Sequence, residues 1–165
     1  MKTEMVMDAC TAILLAKATV LETASNTYEI NMTDYVFAEI MEGKPKMFQD
    51  ALLVERLNKE KKIAVIKYDN GQISKIGKDF NMAKGEASTV AAGIKNNCAI
   101  ATDNKQGRKA AQTTNMPLVG SIEIVVSLFG KNKISREKAV TALKTLQEEG
   151  WFDNYLVEKA MEDLK

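Results

Sequence analysis

The chain has no histidine among its 165 residues. That removes His-based catalytic triads, imidazole proton shuttles and most catalytic zinc sites from consideration. Cysteine is nearly as scarce. Cys10 and Cys98 stand far apart, in no metal-ligand spacing and no disulfide framework, and a reducing, cytoplasmic setting fits them. A dominant charge is also missing: 23 Lys and Arg against 22 Asp and Glu leave a formal net charge of +1. No global field then steers partners, and any attraction for phosphate has to come from local patches. No stretch approaches the ~18 consecutive apolar residues of a membrane span, and no targeting pattern stands out, so a soluble protein without a membrane partner is expected.

What is present is a hydrophobic fraction of 45%, enough for a core in a chain whose length suits one compact domain. Residues 1–165 are read as a single domain. "EMVMDA" has the character of a short buried strand ending at Asp8, and "TAILLAKATVLETA" that of a helix. "TYEINM" returns to strand, and Thr33 is placed to cap "DYVFAEIMEG". In "KMFQDALLVERLNKEKK", Phe48, Leu52, Leu53 and Leu57 are expected to share a buried face. "IAVIKY" is a strand, and "DNGQISKIGKDFNMAK" a loop with at most one short helix. "GEASTVAAGIKNN", "NKQGRKAAQTTN" and "SIEIVVSLFG" read as helices, separated by the strands "CAIATD" and "PLVG". Ser135 caps "REKAVTALKTLQEEG", with Val140, Leu143 and Leu146 on one stripe, and the last helix carries Leu156, Ala160 and Leu164 at i, i+4 and i+8. This alternation predicts an α/β fold of three layers, α/β/α, around a mainly parallel central sheet.

In open α/β folds, ligands bind beyond the carboxyl ends of the strands. Asp8 and Asp103 each end a strand, so both are expected at that rim. Glu39 lies between the apolar positions Val36 and Ile40, and Glu86 opens a helix just after a glycine; both are placed to join them. Four neighbouring carboxylates repel unless some are protonated or a cation intervenes. Mg²⁺ and Mn²⁺ prefer oxygen ligands, and with no histidine available a hard divalent ion is the chemistry that suits the inventory. Each acid also has a plain structural role open to it. Asp8 and Asp103 suit helix caps, Glu86 suits the positive end of a helix dipole, and Glu39 suits a solvated face.

"MDACTAILLAKATVLE" resembles the opening of PIN domains, in which an acid ends the first strand and an apolar helix follows. "MAKGEASTVAAGIKNNCAIATDNKQGRKAA" and "NMPLVGSIEIVVSLFGKNKIS" extend the likeness over about Met5 to Leu164, toward a PIN-like branch related to VapC-type toxins. The resemblance implies a PIN-like fold and a Mg²⁺- or Mn²⁺-dependent ribonuclease. The family's acids fall on Asp8, Glu39, Glu86 and Asp103. Asp8, Glu86 and Asp103 are expected to hold the metal, and Glu39 to orient or deprotonate the attacking water. Thr102 and Asn104, which flank Asp103, are expected to support these ligands. Two departures stand out. Cys10 occupies a position where the family often has Ser or Thr, and a thiol is the weaker partner for a carboxylate. Asn104 occupies a position where the family often has an acid, which weakens the case for a second metal.

Lys105 and Arg108, three apart on one predicted helix, are candidates for gripping RNA phosphates, although such a pair equally suits an ordinary solvated face. Lys44 and Lys46 offer a second basic edge, and Lys75, Lys78 and Lys84 a third. The resemblance also implies a homodimer and a cognate antitoxin covering the site. Two rival functions are weighed. A phosphatase with Asp8 as nucleophile would want a second aspartate where Cys10 stands. A non-catalytic RNA- or protein-binding module would tolerate both departures.

Overall fold

A helix between two short apolar strands returns the chain to the same end of the sheet, which favours parallel pairing. The computed structural model describes residues 2–46, 48–68 and 70–165 and has this arrangement. Strands β1 (Glu4–Met7), β2 (Glu29–Thr33), β3 (Ile63–Ile66), β4 (Ala99–Ala101) and β5 (Leu118–Val119) form one sheet in the order β3-β2-β1-β4-β5, every pair parallel. Successive side chains point to opposite faces. Met5 and Met7 accordingly enter one apolar cluster, and Val6 another on the far side.

The larger cluster is filled by α1 (Ala9–Lys17), α2 (Leu21–Thr27), α4 (Gln49–Lys59), α8 (Ser121–Gly130), α9 (Arg136–Gly150) and α10 (Asn154–Glu162), which contribute Leu15, Leu21, Val54, Leu128, Leu143 and Val157. On the other face, α5 (Asn70–Phe80), α6 (Lys84–Asn96) and α7 (Lys105–Thr113) pack Ile76, Val90 and Ala110 around Ile100 of β4. Helix α3 (Asp34–Met41) follows β2 and packs against α6 as well as α1 and α4. This is the three-layer α/β/α fold expected. The strand order places β1 between β2 and β4, so the chain winds outward in one direction from β1 and in the other from β4. The crevice at such a reversal lies beyond the carboxyl ends of β1 and β4. Asp8 and Asp103 follow those two strands.

Several local expectations need correcting. The single helix read over "TAILLAKATVLETA" is two, because Thr19 turns left-handed (φ 58°) and the chain bends so that Val20 and Leu21 are fully buried. The segment read as mostly loop after Tyr68 contains the 11-residue α5, whose Ile73, Ile76 and Phe80 face the core while Gly71 and Gly77 dilute its helical signal. In α4 the buried face is Ala51, Val54 and Leu57; Phe48 and Leu52 are exposed. Of the i, i+4, i+8 stripe at the chain's end, Ala160 and Leu164 are buried and Leu156 is exposed, with Val157 of α10 buried beside it. In both helices small residues at the correct angle displace larger ones one step away. The caps at Thr33 and Ser135 are as expected: their hydroxyls accept from the N–H groups of Val36 and Lys138 at 3.3 and 3.0 Å.

Candidate active site

Asp8 leaves β1 with an extended backbone and opens α1. Its Oδ1 accepts from the Thr11 N–H at 2.8 Å, so it does cap the helix. Its Oδ2 accepts from the Thr102 hydroxyl across the β1–β4 gap. The residue is only 3% exposed, and burial lifts its carboxyl from the ordinary 3.8 to about 6. The Thr102 hydroxyl and the Thr11 N–H act against that rise, and the nearby Asp103 adds to it.

Asp103 does not cap the helix that follows it. Asn104 does, accepting from the N–H groups of Gln106 and Gly107 at 2.9 and 3.1 Å. Asp103 turns instead to the start of α8. Both its oxygens accept from the Ser121 N–H, at 3.0 and 3.2 Å, and Oδ2 also accepts from the Thr11 hydroxyl at 2.9 Å. Burial raises its carboxyl too, against the pull of the Ser121 N–H and the Thr11 hydroxyl, with Glu123 adding to the rise. Thr11 thereby ties the two strand-end aspartates together, its N–H on Asp8 and its hydroxyl on Asp103.

Glu39 and Glu86 form the other half of the site. Glu86 stands in the first turn of α6 and its Oε1 accepts from the Asn104 amide at 2.9 Å. Glu39 reaches across from α3 and is solvent-exposed, yet burial of part of its carboxyl and the charges of Glu86 and Glu42 raise it. A cavity of about 40 Å³ opens between Asp8, Ala9, Cys10, Glu39 and Glu86, room for a partly hydrated ion and not for an organic ligand. A larger one, about 390 Å³, lies at the amino ends of β2 and β3 and contains none of these acids. The Cys10 thiol faces the small cavity and is pushed up to about 11, by burial first and then by Asp8, Asp103, Glu86 and Glu39. Asp8, Glu39 and Glu86 line the cavity with this thiol, while Asp103 lies outside its lining, tied to Asp8 through Thr11.

Among the described residues, none of the four acids is ion-paired with a lysine or arginine. As the side chains stand, no three Asp, Glu or Cys among the described residues are arranged to hold one metal ion. The acids fall into two pairs, Asp8 with Asp103 and Glu39 with Glu86. The donor chemistry nevertheless fits a hard divalent cation, because all the ligand candidates are carboxylate oxygens and Mg²⁺ takes one or two carboxylates with water completing its shell. The Ser121 hydroxyl adds to that fit. It is fully buried and forms no hydrogen bond among the described residues, although the backbone N–H of the same residue bonds Asp103.

A family model described as a PIN domain matches residues 4–165. The chain belongs to the PIN-domain family. PIN domains are generally nucleases that use divalent metal ions, and in this one the acids stand where ligands bind in such sheets. No curated protein matches the chain at a significant level. The sequence reading of this PIN domain missed Thr11 and Ser121. It looked two residues past Asp8, to Cys10, whereas the hydroxyl that matters is three past, where an N-cap side chain meets the backbone. Ser121 carries no comparable signal. Of the phosphate candidates, Lys105 is exposed at the start of α7, whereas Arg108 folds back onto Thr102 O at 3.3 Å and pairs with Glu123 at 3.4 Å. No helix among the described residues is long and apolar enough to cross a membrane.

Proposed function

We propose that the chain is a Mg²⁺- or Mn²⁺-dependent endoribonuclease that hydrolyses single-stranded RNA. The observation that carries this reading is the bond from Thr11 to both Asp8 and Asp103 at the point where the strand order reverses, opposite Glu39 and Glu86, with none of the four acids ion-paired to a lysine or arginine among the described residues. Asp8, Glu86 and Asp103 would hold the ion. Bound there, a hard divalent cation lowers the pKa of its water and offsets charge on the phosphodiester.

The remaining work belongs to side chains. Thr102 fixes Asp8 and Asn104 fixes Glu86, so neither carboxylate swings away from the cavity. Glu39, its carboxyl raised by partial burial and by the charges of Glu86 and Glu42, orients the attacking water. Lys105 holds a phosphate at the rim, with Arg108 behind it. The likeness to VapC-type toxins adds the rest of this reading: a cytoplasmic toxin, homodimeric, with its acidic pocket covered by a cognate antitoxin.

A second reading, a non-catalytic module that binds RNA or a protein, is favoured by one observation. Asp103 is drawn onto Ser121 and Thr11, and no three acids among the described residues are close enough to hold one ion. One experiment separates the two: purified protein with labelled single-stranded RNA and Mn²⁺. Cleavage abolished by EDTA and by Asp8→Asn supports the nuclease. RNA binding without cleavage at saturating Mn²⁺ supports the module, and cleavage that survives Asp8→Asn overturns the proposed site.

A further inference from the structure

Gly85 has no backbone reason to be glycine. It lies in the first turn of α6, is buried, and does not adopt positive φ. Alanine at such a position is favoured by about 0.5–1 kcal/mol. The place its side chain would take is occupied by Glu39. A Cβ built on Gly85 would stand 2.7 Å from Glu39 Oε2, against 3.8 Å from the nearest atom of Val36.

The seat itself is rigid. Thr33 Oγ1 accepts from the Val36 N–H at 3.3 Å, and the Ser88 hydroxyl donates to Gly85 O at 2.7 Å. Each hydroxyl has one proton, so the 2.5 Å contact between the two oxygens has Thr33 as donor. A directed chain, Val36 to Thr33 to Ser88 to Gly85, thus pins the start of α3 to the first turn of α6 with both hydroxyl residues fully buried. The carboxylate that rests on the pinned backbone is, by contrast, the free end of a flexible side chain. Other glycines of the chain differ. At Gly93 a Cβ would strike the core side chain of Ile100 at 2.4 Å, where nothing can yield cheaply.

We propose that Gly85 is a positioning residue, whose missing side chain seats the Glu39 carboxylate beside Glu86 at the edge of the cavity. Only the kinetic arm of the test below rests on the nuclease reading. In Gly85→Ala the fold is kept, with Tm unchanged or raised, while the ¹³C resonance of the Glu39 carboxyl moves in the metal-free protein. With RNA and Mn²⁺, kcat falls by about 10–100-fold at unchanged KM, the size expected when a reacting group is displaced by about an ångström. In an Glu39→Ala background the same substitution costs nothing further.

An unmoved Glu39 resonance overturns the proposal, as does an equal loss of kcat in the Glu39→Ala background, which would place the effect in the backbone. If Gly85→Ala fails to fold, restoration of folding by adding Glu39→Ala supports it, and failure to restore overturns it. Should the wild type neither cleave RNA nor bind Mn²⁺, the nuclease reading falls, and the resonance and Tm still decide the role of Gly85.

Discussion

Asn104 holds Glu86 through its amide nitrogen at 2.9 Å while its amide oxygen caps α7. The two tasks fix which way the amide faces. An aspartate would keep the cap and lose the donor, setting a carboxylate against Glu86. Asn104→Asp is therefore expected to lose about 1–2 kcal/mol of stability in EDTA, the range for one lost charge-assisted bond plus a like-charge contact. Mn²⁺ should return more stability to this variant than to the wild type, because the added charge also attracts the ion. Thermal melts with EDTA and with Mn²⁺ measure both. A variant as stable as the wild type without metal would show that the bond to Glu86 contributes nothing.

The buried carboxyl of Asp8 sets a pH dependence. Its value rises from 3.8 to about 6 on folding, with burial the main cause. The folded chain therefore binds this proton more tightly than the unfolded one. The associated stability is fully present below pH 3.8 and is lost as pH rises through about 6. The gap corresponds to roughly 3 kcal/mol at its upper limit. Glu22, lowered from 4.5 to about 2 by Arg56 and Lys62, works in the opposite sense, its stability being lost as pH falls from 4.5 through about 2. In metal-free urea titrations, Asp8→Asn should be more stable than the wild type at pH 7.5, and the difference should shrink as pH falls below about 6 and close toward pH 3.8. A wild type that gains on Asp8→Asn as pH rises would contradict the burial argument.

Thr11 offers a test of the link between the aspartates. Thr11→Val keeps the shape and the N–H that reaches Asp8 but removes the hydroxyl that reaches Asp103. The expected cost in stability is about 1 kcal/mol. The expected loss of Mn²⁺ affinity is larger, about 10-fold, as for other groups that orient a metal ligand. Thr11→Ser restores the affinity, because it restores the hydroxyl. Titration of Mn²⁺ by electron paramagnetic resonance follows all three proteins. Equal affinity in Thr11→Val and Thr11→Ser would detach the hydroxyl from the site.

Asp8, Asp103 and Glu86 could be placed from the sequence because each is tied to a strand end or a helix start, features that periodicity and caps reveal, whereas Glu39, late in α3, was placed only by its apolar neighbours Val36 and Ile40. The three-layer fold was legible for the same reason. What stayed hidden depends on distance in the chain. Nothing near Asp103 announces Ser121, which arrives from the start of α8, and nothing near Glu39 announces Gly85, since the two meet only when α3 docks on α6. The faces of α4 and α10 were misread because size was taken as the mark of burial. Ala51 and Val157 are buried by angle, and Leu52 and Leu156, one residue away, are left outside. Asp8 shows that a structural role and a chemical one need not exclude each other: it caps α1 with one oxygen and meets Thr102 with the other.

Lys105 and Arg108 were paired by their spacing, but the structure separates their roles. Lys105 is exposed at the start of α7, with no carboxylate paired to it among the described residues. Arg108 is committed to Thr102 O and Glu123, beside the space left by Gly120. If Lys105 contacts a phosphate, its removal weakens RNA binding alike for every sequence. It also lowers the slope of log affinity against log salt by about 0.7, the value per neutralised phosphate on a single strand. Stability should change little, because the residue is exposed and in no ion pair among the described residues. Arg108→Ala should show the reverse: a lower Tm from the lost hold on the end of β4, with the salt slope intact. Fluorescence anisotropy with labelled single-stranded RNA in EDTA, repeated over a series of KCl concentrations, reads the slopes without cleavage. A wild-type slope in Lys105→Ala would take that lysine off the RNA path, and a slope reduced by Arg108→Ala would mean that the guanidinium leaves Glu123 for the phosphate when RNA binds.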